Sequence, residues 1–332
     1  MPFKKVRKFL HDLVHPPVNR PLSPMERSMQ LPQGRPASIP VAWPQMSVIK
    51  MNSTFLEIVD TAFLRKGFVS FGMVALIYIS INFPITVIPD MIKGLREGGE
   101  TAMFVSGAFT ILVSSLLIVF FVALLRFESF NYTHYPMIFN RKTRMVHVFL
   151  VARKGEYISV PWDDVFFYGE KIEKGTDFYI RGHKLAEDRE TVLETFVLPF
   201  HSEFNSPYRF LLWEFVRQYM EGDEGKLAEL ADMVDEVAGV DGRREMPWEG
   251  FRQAWAGFAG SSLLLAILFS PLIFMATVGR IIAMWTSKFP RWPAEIAATC
   301  QFPPDDPNRR DAKRLAPRGK AKPPDVSAYV GR

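Results

Sequence analysis

The chain has 332 residues, a net charge of +5 and 29 phenylalanines, and 48% of its residues are hydrophobic. Cys300 is its one cysteine, which excludes an intrachain disulfide and a metal cluster built from several thiolates. This length leaves room for one membrane unit and one modest soluble domain.

Charge is segregated along the chain. Residues 1–66 contain ten Lys and Arg against four acids, residues 126–250 contain sixteen against twenty-three, and residues 280–332 contain eleven against five. Basic flanks around an acidic middle suit a protein whose ends lie against anionic lipid headgroups. The basic clusters are short, rich in proline and without interleaved aromatic residues, so a nucleic acid partner is not expected.

The first 66 residues precede the first predicted membrane span and divide into a tail and a predicted helix. Residues 1–45 are a basic, proline-rich tail, and eight prolines between Pro16 and Pro44 predict an extended, largely unstructured linker. From residue 46 to residue 66 the apolar content returns, and this pattern predicts a helix that runs into the first membrane span.

Two apolar runs, Gly67–Pro89 and Thr101–Leu125, contain no charged residue. Each is longer than the roughly 20 residues that a helix needs to cross a bilayer. We therefore predict a transmembrane hairpin within residues 46–126, with spans at 67–89 and 101–125. Neither span contains Asp, Glu, Lys, Arg or His, so ion-coupled transport is not expected.

Small side chains recur on the second span. Ser106, Thr110 and Ser114 repeat every four residues, which places them on one face of a helix. Small faces let helices approach closely, so this face is predicted to pack against the first span. Self-association into a homo-oligomer is the alternative for the same face.

Residues 127–220 change from helical to strand periodicity and predict a soluble α+β domain. We predict an antiparallel sheet of about six strands followed by a helix over Pro207–Met220, an order typical of pleckstrin-homology-like domains. A turn after Pro161 is expected to place Trp162 under this helix. Six strands are predicted: Pro136–Asn140, Arg144–Val151, Glu156–Val160, Phe166–Ile172, Asp177–Lys184 and Thr191–Leu198. Residues 221–250 follow as an exposed acidic linker or helix.

A third apolar segment, residues 253–287, has two interpretations. One helix from about Trp255 to Gly279 is the preferred prediction, although it sends the basic, proline-rich tail 288–332 to the outside of the cell. A re-entrant hairpin bent at Pro271 would instead keep the tail inside. Lys and Arg beside the first two spans place the N-terminus and residues 126–250 in the cytoplasm.

The sequence offers no convincing catalytic, cofactor or metal site. It has no phosphate-binding loop, nucleophile elbow or dinucleotide fingerprint, and its histidines lack metal-ligand spacing, so the chain is not predicted to be an enzyme. The candidate contacts to an anionic surface are Arg141, Lys142 and Arg144, which share one predicted hairpin. The alternative for these three residues is a solvated turn.

Several stretches resemble a family of uncharacterised bacterial membrane proteins with a cytoplasmic β-rich domain. The similarity covers roughly residues 50–305 and is strongest in five stretches: Asn131–Pro136, Phe139–Phe149, Val160–Val165, Ile180–His183 and Arg291–Glu295. Genes of this family tend to lie beside type VI secretion spike and toxin genes. The resemblance therefore implies an immunity protein of the bacterial inner membrane that neutralises a secreted toxin by stoichiometric binding. The alternative function is a membrane-anchored scaffold or sensor that recognises a lipid or a protein.

Overall fold

The computed structural model describes residues 18–60, 63, 66–97, 101–150, 156–171, 177–203, 206–256, 267–315 and 324–326. The chain divides into two compact units. The sheet unit combines three stretches of chain: Met1–Leu64, His134–Arg243 and Pro290–Arg332. The helical unit combines Arg65–Thr133 and Arg244–Phe289.

The sheet unit contains two antiparallel sheets. The five-stranded sheet follows chain order: β2 (Val48–Met51), β3 (Phe55–Ile58), β4 (Met137–Asn140), β5 (Met145–Phe149) and β6 (Tyr157–Pro161). The four-stranded sheet has the order β1 (Arg20–Pro21), β9 (Thr191–Glu203), β8 (Asp177–Leu185) and β7 (Val165–Lys171). The described residues of the unit also form the helices α1 (Pro24–Ser28), α4 (Leu211–Glu221), α5 (Glu224–Asp232) and α8 (Ala294–Thr299).

The six strands predicted between residues 136 and 198 are confirmed as β4 to β9, and the predicted closing helix is confirmed as a 3₁₀ turn leading into α4. The prediction of one sheet is wrong, because these strands divide between two sheets. The break falls where β6 ends at Pro161, which has no N–H to continue a ladder, and a 3₁₀ turn over Trp162–Asp164 follows. Strands β1 to β3, which precede the predicted domain, complete the two sheets.

Residues 46–66 were predicted to be helical, and this prediction is wrong because β2 and β3 lie within them. The reversal between the two strands is a local turn in which the Asn52 side-chain oxygen accepts hydrogen bonds from the N–H groups of Thr54 and Phe55. Strand β3 then pairs with β4, with Ile58 opposite Met137. The stretch Arg65–Thr133 is therefore inserted between two neighbouring strands of one sheet.

The proline-rich N-terminal segment was predicted to be unstructured, but its described part, residues 18–45, is ordered against the sheet unit. Residues 1–17 lie outside the described residues. The backbone N–H of Leu31 donates to the Phe167 carbonyl at 2.8 Å, and the N–H of Trp43 donates to the Leu211 carbonyl at 3.1 Å. Prolines favour extended backbone, and the N–H groups of Leu31, Ala37 and Trp43 donate to acceptors on β7 and α4.

The core of the sheet unit lies between the sheets and α4. The rings of Trp162 and Trp213 stack with centroids 6.0 Å apart, and both side chains are fully buried. The Trp162 indole N–H also donates to Glu221 at 2.6 Å, at the end of α4. Trp162 therefore lies against the closing helix, as its position after Pro161 predicted.

Segments predicted to be exposed linkers or tails supply part of this core. In the acidic segment, Leu227, Leu230 and Val234 are fully buried, so α5 packs into the unit instead of standing free in solvent. In the C-terminal tail, Ile296 of α8 packs against Phe55 and Ile138 of the five-stranded sheet. The first half of the predicted tail is thus an integral part of the sheet unit, while residues 316–323 and 327–332 lie outside the described residues.

The helical unit contains α2 (Phe68–Arg96), α3 (Thr101–Glu128), α6 (Pro247–Ala256) and α7 (Ser270–Thr286). Helices α2 and α3 correspond to the predicted spans and are long and apolar enough to cross a membrane. Only 6% of each apolar stretch is buried inside the protein. In a core helix of a soluble domain, by contrast, most apolar residues are buried. Within the apolar stretches several polar side chains bond to the backbone of their own helix, as Asn82 does to the Tyr78 carbonyl at 2.9 Å and Thr110 to the Ser106 carbonyl at 2.9 Å.

Candidate functional site

One end of the helical unit is called the base here. Helix α2 begins and α3 ends at the base, and α6 begins just after it. The base is defined by Lys66, Gly67, Glu128, Glu245 and Arg280. The Glu128 carboxylate at the end of α3 accepts hydrogen bonds from the N–H groups of Gly67 and Ser70 at the start of α2. A carboxylate here satisfies unpaired amide donors and complements the positive end of the helix dipole. The two long helices are therefore joined at the base by a charged cap.

A buried ion pair lies beside this cap. The Arg280 Nε donates to both carboxylate oxygens of Glu245, at 3.0 and 2.9 Å, and Arg280 Nη1 donates to the Lys66 carbonyl at 3.2 Å. Arg280 is 2% exposed and Glu245 is 6% exposed. Removing two charges from water is costly, and this geometry offsets the cost by pairing them directly.

This pair determines the course of the third apolar segment. It joins residue 245, just before α6, to residue 280 in the second half of α7, and Arg244 also donates to the Met284 carbonyl at 3.0 Å. A single straight helix would separate these ends by about 50 Å at 1.5 Å per residue. The described ends of the segment therefore lie close together, and its second described helix begins at Ser270. Residues 257–266, which make up much of the helix predicted from Trp255 to Gly279, lie outside the described residues, so that prediction stays untested.

The third segment reaches the base through a close backbone crossing. A Cβ atom added to Gly279 would lie 2.1 Å from the Gly67 carbonyl oxygen, and one added to Gly67 would lie 2.4 Å from the Arg280 Cα. Gly67 also has a φ of 110°, in the region that favours glycine. The contact between α2 and α7 therefore depends on two residues without side chains.

The small-residue face predicted on the second span is rotated in the structure. Ser114 is buried and Thr110 is half-buried, but Ser106 is exposed. A tight contact with α2 is found at Gly107, where an added Cβ would lie 1.9 Å from the Met91 sulfur. Packing within the hairpin thus uses Gly107, and along the predicted face burial increases from Ser106 to Ser114.

The three basic residues predicted as an anionic contact have different roles. Arg141 donates through Nη1 to the Tyr219 carbonyl at 3.0 Å and through Nη2 to the Gly222 carbonyl, at the end of α4. Arg144 pairs with Asp163 at 2.6 Å and with Glu221 at 2.8 Å. Among the described residues Lys142 has no polar partner and is exposed. Two of the three cations are therefore occupied by internal contacts.

We expect Arg141→Ala to lower the free energy of unfolding of the sheet unit by about 1–3 kcal/mol, because the last carbonyls of α4 lose a charged donor. The matched variant Lys142→Ala, one position along the same hairpin, should stay within about 0.5 kcal/mol of the wild type. Urea unfolding followed by tryptophan fluorescence checks both values. Equal stability of the two variants would refute the helix-capping role.

A buried polar cluster ties the N-terminal segment to the four-stranded sheet. The Glu26 carboxylate of α1 pairs with Arg20 at 2.6 Å and accepts from His183 Nε2 at 3.2 Å, while His183 Nδ1 lies 2.8 Å from the Thr195 hydroxyl. Burial lowers the pKa of His183, which keeps the imidazole neutral at pH 7. Since a carboxylate only accepts, Nε2 carries the proton and Nδ1 accepts from Thr195.

This order of hydroxyl, imidazole and carboxylate is that of a hydrolase triad. Here, however, Thr195 is 4% exposed and His183 is 0% exposed, so no substrate can reach the hydroxyl. The cluster therefore positions the N-terminal segment. Across the described residues, no three His, Cys, Asp or Glu side chains are arranged to hold a metal ion.

Because of the lowered pKa of Glu26, the packing of the N-terminal segment on the four-stranded sheet should lose stability in acid. Burial alone would raise this pKa, but hydrogen bonds from Arg20, His183 and the Ser23 N–H hold it well below its ordinary value of 4.5. A lowered folded-state pKa adds stability that is present above pH 4.5 and is lost as the pH falls below that value. We expect Glu26→Gln to be less stable than the wild type at pH 7 by about 2 kcal/mol.

That difference should shrink steadily once the pH falls below about 4.5, because the wild-type carboxylate then loses its advantage over the amide. Denaturant unfolding at a series of pH values measures it. A difference that stays constant into acid would show that Glu26 is not held ionised.

A cleft of about 590 Å³ lies beside this segment, between α1 and the turns at the ends of β7 and β8. Its wall contains five charged residues: Arg27, Asp163, Asp164, Glu187 and Arg189. Small-molecule sites of this size are mostly lined by apolar residues with a few polar groups. The wall of this cleft is mostly charged and polar, so it differs from such a site.

These observations define a two-unit protein. One unit consists of apolar helices, and the other has an antiparallel α+β fold. The chain belongs to a family of unknown function, DUF6708, whose model matches residues 114–304, more than half of the chain. The matched region runs from the middle of α3 through α8 and so includes the base of the helical unit from Glu128 onward. No curated protein and no solved structure matches the chain.

Proposed function

We propose that this chain is an integral membrane protein that acts by binding, with α2 and α3 crossing the bilayer of the bacterial inner membrane. The observation that carries the proposal is the apolar surface of these two helices, in which only 6% of each apolar stretch is buried inside the protein. Each is long enough to cross the roughly 30 Å hydrocarbon core, and their polar side chains find backbone acceptors within the same helix.

The sheet unit then lies on one side of this membrane. Its three stretches of chain share one fold: β3 pairs with β4, and α8 packs on the same sheet. Trp292 from the last stretch donates to Glu57 of the first at 2.8 Å. A returning third segment is consistent with this arrangement, since it leaves the stretches before and after it on the same side. The positive-inside rule favours the cytoplasm for that side.

The sidedness can be tested with single cysteines in a Cys300→Ser background. We expect Lys142→Cys and Ala312→Cys to react with a membrane-impermeant maleimide from the same side, and Glu97→Cys, at the end of α2, to react from the opposite side. Spheroplasts and inverted membrane vesicles present the two sides separately. Labelling of positions 142 and 312 from opposite sides would refute the returning segment, and equal labelling of all three would refute membrane insertion.

The specific role that we propose is immunity: the chain binds and neutralises a toxin delivered by type VI secretion. The resemblance to bacterial membrane proteins encoded beside such toxins supports this role. Strands β4 to β9 followed by α4 are also the strand-and-helix order of pleckstrin-homology-like domains, which bind partners through surfaces. Stoichiometric neutralisation requires a complementary surface of this kind and no chemical step.

Competition between sister strains tests this role. A strain without the gene should be killed by its toxin-producing sister, and the wild-type gene should restore survival. The tagged, detergent-solubilised chain should also recover one neighbouring toxin in near-equal amount. Unchanged survival of the deletion strain would refute immunity. Recovery of lipids alone would favour the sensor alternative. That alternative has little free positive charge available on this hairpin, because Arg141 and Arg144 already make contacts within the sheet unit.

A further inference from the structure

Large aromatic side chains are exposed on the helical unit. Helix α6 carries Trp248, Phe251 and Trp255 on one face, with successive ring centroids 5.4 and 5.8 Å apart. Trp248 is 63% exposed and Trp255 is 37% exposed, and Trp285 at the end of α7 is 57% exposed. Arg244, just before α6, contacts the Trp285 carbonyl, so we group the exposed rings of the two helices under one name, the aromatic surface: Trp248, Phe251, Trp255 and Trp285. Water would hydrate these rings poorly.

The indole N–H groups of this surface have no protein acceptor among the described residues. In the sheet unit, by contrast, the N–H of Trp162 donates to Glu221 and that of Trp292 donates to Glu57. An exposed indole presents a large apolar ring together with one unsatisfied donor. The boundary of a lipid bilayer offers both hydrocarbon for the ring and ester or phosphate oxygens for the N–H, and tryptophan is enriched there.

The position of α6 within the helical unit agrees with that boundary. Arg244, just before α6, donates to the Met284 and Trp285 carbonyls, and Glu245 pairs with Arg280. Arg280 in turn reaches the Lys66 carbonyl at the start of α2. Helix α6 therefore starts at the base, where charged side chains gather and the apolar surfaces of α2 and α3 begin.

We propose that the aromatic surface is a lipid-binding site in the headgroup and glycerol region of the leaflet on the side of the base. This inference rests on the proposed membrane insertion and specifies which residues contact lipid at the boundary. The ligands are the ester carbonyls and upper acyl chains of bilayer phospholipids. The start of α6 at the base, in the same unit as two exposed apolar helices, favours lipid over a protein partner.

Depth-dependent fluorescence quenching tests this proposal on the full chain. The wild type is reconstituted in phosphatidylcholine–phosphatidylglycerol vesicles containing lipids brominated either near the glycerol backbone or near the end of the acyl chain. We expect the shallow bromolipid to quench more strongly than the deep one. The variant Trp248→Phe/Trp255→Phe/Trp285→Phe, which keeps the aromatic bulk, should lose this shallow quenching. The control Trp43→Phe removes an indole from the sheet unit and should leave it unchanged.

The outcomes separate this inference from the proposed function. Failure of the wild type to float with vesicles would refute membrane insertion itself. Flotation with equal quenching of the wild type and the triple variant would refute only the aromatic surface as a lipid site. Stronger quenching by the deep bromolipid would place these indoles inside the hydrocarbon core and would also overturn the proposal.

Discussion

Replacing Gly279 by alanine is expected to detach α7 from α2 and to cost about 3 kcal/mol of stability, at the upper end for an overpacked contact. The added Cβ would lie 2.1 Å from the Gly67 carbonyl oxygen and 2.6 Å from the Phe71 Cβ. The closest of these atoms belongs to the backbone of a long helix, so a rotamer change cannot relieve the clash. The helices must move apart, and the buried pair between Glu245 and Arg280 must follow.

The chain offers a matched control on α2. A Cβ added to Gly72 meets no atom within 4 Å, so Gly72→Ala should leave the packing intact and add up to about 1 kcal/mol through helix propensity. Thermal unfolding in detergent, followed by circular dichroism, compares the two variants. If Gly279→Ala melts with the wild type, the crossing of α2 and α7 is not as close as the structure shows.

The strands β4 to β9 could be predicted because each is a short run rich in β-branched and aromatic residues that is bounded by local turns, and in β6 exposed and buried residues also alternate. Strands β2 and β3 could not, since the apolar residues Val48, Met51, Phe55 and Ile58 also match helical spacing and no hairpin signal as clear as Arg141–Thr143 separates the two strands. Their identity is determined by β4, which lies some 80 residues further along the chain. A periodicity within one window contains no information about such a partner.

The base of the helical unit was missed for the same reason. Glu245 stood in an acidic stretch and Arg280 after an apolar run, and nothing in their local sequence indicated a pair 35 residues apart. The signal that could have indicated it was the cost of an arginine beside a membrane segment, which makes a partner necessary. Likewise, the charges of Arg141 and Arg144 were evident from sequence, but their acceptors at the end of α4 were not.

The largest effect is expected from breaking the ion pair between Glu245 and Arg280. Because both side chains are buried, removing either partner leaves a charge without compensation, and Glu245→Leu or Arg280→Met alone should cost about 3–5 kcal/mol. The double variant should cost much less than the sum, since apolar side chains of similar volume can replace a buried pair at little loss. Thermal unfolding of the four proteins in detergent gives the coupling energy.

The exposed pair Lys226–Glu229 on α5 is the matched control, and the same cycle there should give a coupling energy of at most about 0.5 kcal/mol. Burial, and not charge alone, then accounts for the difference between the two pairs. The ion pair also holds the described ends of the third segment together, so in vesicles each single variant should move Trp285 out of its proposed lipid contact and raise its quenching by an aqueous quencher. Additive costs in the buried cycle, with the tryptophans unchanged, would mean that Glu245 and Arg280 do not hold the ends of that segment together.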